Sequence, residues 1–310
     1  MSPTLVFYSQ FDSFEQWQAL LAPLLPGIRI CQEQDVEDPD SVLYALAWKP
    51  PQGFFTRYRN LQLLINLGAG VDSLVGRDDL PAIPITRLSD PNMGRMMASY
   101  VLFAVLRYAR DIPAFERAQR ERRWHYLHPR LPQSVRVGVL GLGELGAYAA
   151  AELVRQGFTV SGWSRSAKQL EGVRCYSGLD CLDSFIADSE ILVVMLPLTS
   201  ETRGLLDARR LALLPPGSCF INVSRGAVVD QQALTEALGS GRIAEATLDV
   251  FDREPLPPED PLWGMTNVLI TPHLASVAIP ESAARQIADN ILRLQRGEAV
   301  LHQVDPARGY

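Results

Sequence analysis

Apolar residues along this chain fall in short runs that alternate with stretches of helical spacing. In the first third, Leu5 to Tyr8, Ile28 to Cys31, Leu43 to Trp48, Leu63 to Leu67 and Pro84 to Arg87 read as strands. Ser13 stands as a helix N-cap, and Phe14, Trp17, Leu20 and Leu21 follow on one face until Pro23 and Pro26-Gly27 end the helix. From Met93 to Arg110 the pattern is helical and strongly apolar, which predicts a buried helix between two domains. Arg120 to Gln133 is polar and proline-broken and reads as an excursion between them.

The alternation resumes at Val135. Strands are predicted over Val135 to Leu140, Phe158 to Trp163, Ile191 to Leu196, Ser218 to Val223, Ile243 to Leu248 and Asn267 to Ile270. Helical patterns lie between them, notably over Leu205 to Leu214 and Asp230 to Leu238, so six strands of a doubly wound sheet are expected. A last helix spans Pro280 to Arg296, with Ala284, Ile287, Ile291 and Leu294 on one face.

A chain of 310 residues fits two α/β domains, and 47% hydrophobic with 21% charged residues is ordinary for a globular protein. No apolar run approaches ~20 residues, so no membrane span is expected, and the N-terminus reads as a strand rather than a signal peptide. Cys31, Cys175, Cys181 and Cys219 are scattered without metal-ligand spacing, which fits a reducing cytoplasm and no metal. A net charge of −6 without a long basic block argues against a nucleic-acid partner. The arginines from Arg117 to Arg123 read as a solvated helix face, and His125 and His128 as loop histidines.

The candidate chemistry starts at Gly141, Gly143 and Gly146, in G-x-G-x-x-G spacing between a strand and a helix. That context suits a dinucleotide: a tight turn, a close approach to a pyrophosphate, and helix N–H groups aimed at it. At the end of the next strand, where an acidic residue would hold an adenine ribose, stand Trp163, Ser164, Arg165 and Ser166, with Lys168 beyond. An Arg fork with hydroxyl donors suits a 2′-phosphate, so NADP is expected. Three later strands end in Asn222-Val223-Ser224-Arg225-Gly226, Asp249 to Pro255, and Thr271-Pro272-His273. Arg225 suits a substrate carboxylate, His273 a proton donor, and Glu254 a carboxylate partner for that histidine. Taken singly each could be structural; together, at strand ends of one dinucleotide-binding sheet, they are specific. Gly68-Ala69-Gly70 follows a strand of the first third and could offer backbone N–H groups to a small anion or simply connect strand to helix.

The set GLGELG, NVSRGAVVD, LDVFDREPLP and TPHLAS resembles the D-2-hydroxyacid dehydrogenase family over nearly the whole chain. LGAGVDSL, the WSRS turn, FDREPLPPEDPLW and the C-terminal VDPARGY resemble its glyoxylate/hydroxypyruvate reductases in particular. The resemblance implies two Rossmann-like doubly wound parallel-sheet domains with an active-site cleft between them. The substrate-binding domain would be discontinuous, residues 1–106 and 279–310, around an NADP-binding domain at 107–278. It implies catalysis by Arg225, Glu254 and His273, and substrate contacts from Trp48, Gly68, Ala69, Gly70, Arg225 and His273, with Trp263 shaping the pocket. The coenzyme would lie on Gly141, Leu142, Gly143, Glu144, Leu145 and Gly146, on Trp163, Ser164, Arg165, Ser166 and Lys168, and on Leu196, Pro197 and Thr202. Val223, Ser224, Arg225, Asp249, His273 and Ala275 would complete its site.

The activity implied is NADPH-dependent reduction of glyoxylate or hydroxypyruvate to glycolate or D-glycerate, with NADH used less efficiently. A homodimer formed through the excursion is implied too, with Trp124 reaching towards the partner. One departure is that Ala98 is followed by Ser99, where the family often has Ala-Glu. Two other readings stay open: a dehydrogenase for bulkier 2-oxo acids, and a non-catalytic NAD(P)-sensing protein on the same fold.

Overall fold

The computed structural model describes residues 2–305. The chain forms two compact units, one holding the chain up to Met93 and again from Val277, the other Gly94–Ser276. The first division falls within the opening turn of a helix.

The first unit is a parallel sheet of β1 (Thr4–Tyr8), β2 (Arg29–Gln32), β3 (Val42–Ala47), β4 (Leu63–Asn66) and β5 (Ile85–Thr86), in the order β2-β1-β3-β4-β5. Every residue of β4 is buried, as expected of a parallel strand covered on both faces. The helix α1 (Phe14–Leu21) starts where the Ser13 hydroxyl accepts the Gln16 N–H at 3.3 Å, and it buries Trp17 and Leu21. β5 is an edge strand, shorter than the apolar run suggested, because Pro84 has no N–H to give the ladder.

The second unit opens with α2 (Pro91–Ala109) and α3 (Ile112–Arg120). It continues through β6 (Arg136–Leu140), α4 (Glu144–Arg155), β7 (Thr159–Ser164), β8 (Val173–Ser177), α5 (Leu182–Ala187) and β9 (Ile191–Val194). Then come α6 (Ala208–Leu211), β10 (Ser218–Asn222), α7 (Gln231–Gly239), β11 (Ile243–Leu248) and β12 (Val268–Ile270). Its sheet is parallel, in the order β12-β11-β10-β9-β6-β7-β8. The chain winds one way from β6 and the other way from β9, so the topological switch point lies between these two strands. Ligands of open α/β sheets sit at the carboxyl ends of the strands there. Past β12, α8 (Pro280–Gln295) returns the chain to the first unit and buries Ala284, Ile287 and Ile291.

Three expectations are corrected. The second sheet has seven strands, not six: β8 is a partly exposed edge strand with Arg174 in it, so no apolar run announces it. The helix expected over Leu205 to Leu214 is a single turn, α6, capped by the Asp207 carboxylate on the Arg210 N–H at 2.8 Å. Leu206 instead bridges Val229, so its burial reflects sheet-like pairing rather than a helix face. The helix expected to be buried, α2, is buried on one face only and leaves Phe103 51% exposed. Of the C-terminal VDPARGY stretch, Val304 is buried and its N–H donates to the Ile85 carbonyl at 2.8 Å; Pro306 onwards lies outside the described residues. No helix among the described residues is long and apolar enough to cross a membrane.

Close packing fixes the strand that leads to the glycine turn. Gly138 lies mid-way along β6, between Ser161 of β7 and Leu192 of β9. A Cβ there would overlap Ser189 and come within 3.1 Å of the Phe185 ring. G138A is expected to lower stability by about 1–3 kcal/mol, and adding S189G should recover part of the loss. Thermal unfolding of both variants checks this; a wild-type melting temperature for G138A would contradict it.

Candidate active site

Each glycine of the turn after β6 has a distinct physical role. Gly141 has φ +120°, and a Cβ on it would lie 2.7 Å from the Met195 carbonyl carbon. Its N–H donates to the Trp163 carbonyl at 2.9 Å, which ties the turn to the end of β7. Gly146, in the first turns of α4, packs so tightly that a Cβ would collide with the Gly141 carbonyl oxygen. Gly143, the N-cap of α4, differs from both, because a Cβ there would meet nothing within 4 Å. The outer glycines are thus required by the protein itself. The middle one is required only if something approaches the backbone at the helix N-terminus. That cradle, with N–H groups and the positive helix end behind it, fits a pyrophosphate. Leu142 is buried and turned inward against Gly162, so its backbone, not its side chain, is what the turn can offer a ligand.

At the end of β7, Trp163 is buried with its indole N–H on the Gly178 carbonyl at 2.8 Å, and the Ser164 hydroxyl donates to the Ser166 carbonyl at 2.7 Å. The Arg165 guanidinium reaches Glu201 at 2.9 Å, with both side chains largely exposed. Glu201 sits in a turn after β9 where the Thr202 hydroxyl donates to the Pro197 carbonyl at 2.6 Å. Leu196, Pro197 and Thr202 therefore belong to one loop on the far side of β6 from Arg165.

The remaining candidates follow β10, β11 and β12. After β10, the Asn222 amide shapes the loop: its oxygen accepts the Ser224 N–H at 3.1 Å and its nitrogen donates to the Arg225 carbonyl at 3.2 Å. Val223 and Ser224 are buried at the strand end. Gly226 presses onto the Phe251–Asp252 peptide with no room for a Cβ, which fixes the Arg225 loop against the segment carrying Glu254. The His273 Nδ1 lies 2.8 Å from the Glu254 carboxylate, whose other oxygen accepts the Phe251 N–H at 3.1 Å. An ionised carboxylate only accepts, so Nδ1 donates its hydrogen to Glu254.

His273 has φ +56°, a left-handed conformation that costs about 1–2 kcal/mol for a non-glycine residue. Asp249 holds it there. The Asp249 carbonyl accepts the His273 N–H at 2.9 Å, and the buried carboxylate accepts from Leu274 N–H and Ala275 N–H, both at 2.9 Å, and from the Thr271 hydroxyl at 2.6 Å. Because Thr271 gives its hydrogen to the carboxylate, the Tyr100 hydroxyl, 2.5 Å away, donates to Thr271. Burial pushes the Tyr100 phenol up to about 12, so it stays protonated and able to donate. Sequence reasoning quoted Asn222 and Thr271 without giving them a role, read Tyr100 only as one of the apolar positions of the helix from Met93 to Arg110, and passed over Glu201. Nothing local marks a tyrosine on α2 as a partner for a loop after β12.

In the first unit, the Gly68–Gly70 turn follows β4. The buried Asn66 amide donates to the Gly68 carbonyl at 2.9 Å and the Gly70 carbonyl at 2.8 Å. Planar trans peptides then point the N–H groups of Ala69 and Val71 away from Asn66. Trp48, at the end of β3, lays its ring against Gly68 where a Cβ would collide with it. Trp263, in the second unit, is half exposed with its indole N–H on the Pro257 carbonyl at 3.0 Å.

The family model described as D-isomer specific 2-hydroxyacid dehydrogenase, NAD binding domain, matches residues 102–275. Glyoxylate/hydroxypyruvate reductase A of Serratia proteamaculans (strain 568) is 38% identical over 312 residues, 99% of each chain. A crystal structure of a D-isomer specific 2-hydroxyacid dehydrogenase from Xanthobacter autotrophicus Py2, in complex with NADPH and MES, superposes with a TM-score of 0.95 at 63% identity and covers 100% of both chains. The NADPH-dependent glyoxylate/hydroxypyruvate reductase of Sinorhizobium meliloti, in complex with NADP and sulfate, gives a TM-score of 0.93 at 34% identity over 99% of this chain and 100% of that one.

The three glycines make separable predictions. G146A is expected to lower the melting temperature, because the added methyl collides with backbone. G143A should melt like the wild type yet bind a dinucleotide weakly. Melting curves with and without added NADPH check this; a destabilised G143A with intact binding would contradict the assignment of Gly143 to the ligand.

Proposed function

We propose that this chain, which belongs to the D-isomer specific 2-hydroxyacid dehydrogenase family, reduces small 2-oxo acids such as glyoxylate and hydroxypyruvate to D-2-hydroxy acids with NADPH. It is an oxidoreductase, and its coenzyme is NADP, with NADH used less efficiently. The observation that carries the reading is the His273–Glu254 pair at 2.8 Å, on the same sheet edge as the glycine cradle.

NADPH, when bound, supplies the hydride that reduces the carbonyl carbon. The chain's residues do the rest. Arg225 offers a planar fork to the acid and polarises its carbonyl oxygen. His273 gives that oxygen a proton from Nε2. Glu254 holds the ring in the donating tautomer and stabilises the imidazolium before transfer. The Ala69 and Val71 N–H groups of the first unit, with Trp48 beside them, suit a small anion such as a carboxylate. Arg165, with Ser164 and Lys168, holds the 2′-phosphate of the coenzyme.

The chain works as a homodimer. Phe103 and Leu106 on α2, and Trp124, Tyr126 and Leu131 after α3, are large apolar side chains left in water, Trp124 98% exposed, and a second copy covers them. A cytoplasmic location fits the four free cysteines.

H273A is expected to lower kcat/KM for glyoxylate by about 10²–10⁴-fold, while NADPH still quenches protein fluorescence as in the wild type. R225A should raise KM for the acid and lower kcat together. Near-normal turnover in either variant would refute these roles, and faster turnover of phenylpyruvate than glyoxylate by the wild type would move the substrate class to bulkier acids. L106E should convert a dimer to a monomer in sedimentation velocity; a wild-type monomer would refute the dimer.

A further inference from the structure

The Arg165–Glu201 ion pair is placed in a way that its exposure alone would not suggest. Arg165 is the first residue after β7, and Glu201 lies in the loop after β9. These strands flank β6 on either side, so they stand about 10 Å apart at ordinary strand spacing. The pair therefore meets across the end of β6, whose own continuation is the glycine turn. Glu201 is held for this contact. The Thr199 N–H donates to the Thr202 hydroxyl at 2.8 Å, and the Arg203 N–H donates to the Thr199 carbonyl at 3.0 Å, which closes the turn with Glu201 at its tip.

We propose that Glu201 is a counter-charge that opposes a 2′-phosphate at Arg165, and that it thereby limits how strongly this chain prefers NADPH over NADH. The inference rests on the reading of Arg165 as the anchor of the 2′-phosphate. An Arg fork pairs with one anion per edge, and here Nη1 is given to the Glu201 carboxylate at 2.9 Å. An incoming phosphate either displaces that carboxylate or binds beside it against anion–anion repulsion. NADH carries a ribose hydroxyl at the same position and meets neither cost. The carboxylate can accept a hydrogen bond from that hydroxyl, as the acidic residue of NAD-binding sheets does.

Both effects act in one direction. Removing the charge at Glu201 strengthens binding of the phosphate-bearing ligand and does nothing for, or weakens, the one without it. The opposing effect is loss of preorganisation, since Glu201 also holds Arg165 in place. It is the smaller one here, because the pair is solvated, with side chains 52% and 67% exposed, and restrains the arginine only loosely. Exposed pairs of this kind are weak, so the change expected is about two- to five-fold.

The test measures the dissociation constants of 2′,5′-ADP and 5′-AMP by calorimetry on the full chain, for wild type, E201Q, R165M and the double variant. The expected result is that E201Q binds 2′,5′-ADP about two- to five-fold more tightly at low salt, with AMP unchanged or weaker. The ratio of kcat/KM for NADPH over NADH should rise by a similar factor, and E201Q should have no effect in the R165M background. Unchanged or weaker 2′,5′-ADP binding by E201Q would overturn the proposal while leaving Arg165 as the anchor. If R165M instead keeps the wild-type preference for 2′,5′-ADP over AMP, the reading of Arg165 fails, and the proposal fails with it.

Discussion

The buried carboxylate of Asp249 is the interaction on which the reactive end of the second sheet depends. At 2% exposure, an unpaired carboxylate would be costly, and three donors compensate: the Thr271 hydroxyl and the Leu274 and Ala275 N–H groups. All three lie in the loop after β12, so satisfying the charge also closes that loop around His273. The left-handed backbone at His273 is the local strain that this network holds in place. Asp249 shapes the backbone beneath the histidine, whereas Glu254 fixes the ring.

Parallel topology supplies the rest. In a parallel sheet every strand delivers its following loop to the same edge. β6 thus brings the glycine cradle, β7 brings Arg165, β10 brings Arg225, β11 brings Asp249 and Glu254, and β12 brings His273 to one edge. Short-range packing then sets each loop. Gly226 has no space for a side chain against Phe251 and Asp252, and Gly146 has none against Gly141. These contacts carry no charge, yet they decide where the charged groups end up.

Much of this was legible in the chain. Strands covered on both faces must be continuous apolar runs, and β1, β3, β4, β9 and β10 read as such. The glycine spacing and the three strand-end motifs also stand in the sequence, because chemistry there depends on residue type at a fixed distance from a strand end. Other features were not legible, for physical reasons. An edge strand such as β8 needs no apolar run. Leu206, just before α6, is buried at a bridge to Val229, so its place in the leucine spacing imitates a helix. Tyr100 meets Thr271, and Arg165 meets Glu201, only once distant segments are brought together, and nothing local records such a meeting. The apolar pattern of α2 read as a buried helix, yet its outer face leaves Phe103 51% exposed.

Stereochemistry joins the coenzyme, the arginine and the histidine in one observable, since in the proposed reaction a carbonyl held by Arg225 and protonated from His273 would receive the hydride on one face only. The most direct measurement is therefore the product of hydroxypyruvate reduction, resolved by chirality and counted against NADPH consumed. The expected result is one D-glycerate for each NADPH oxidised. Formation of L-glycerate or a racemic mixture, or the absence of NADPH oxidation with hydroxypyruvate and glyoxylate alike, would contradict the function assigned to this site.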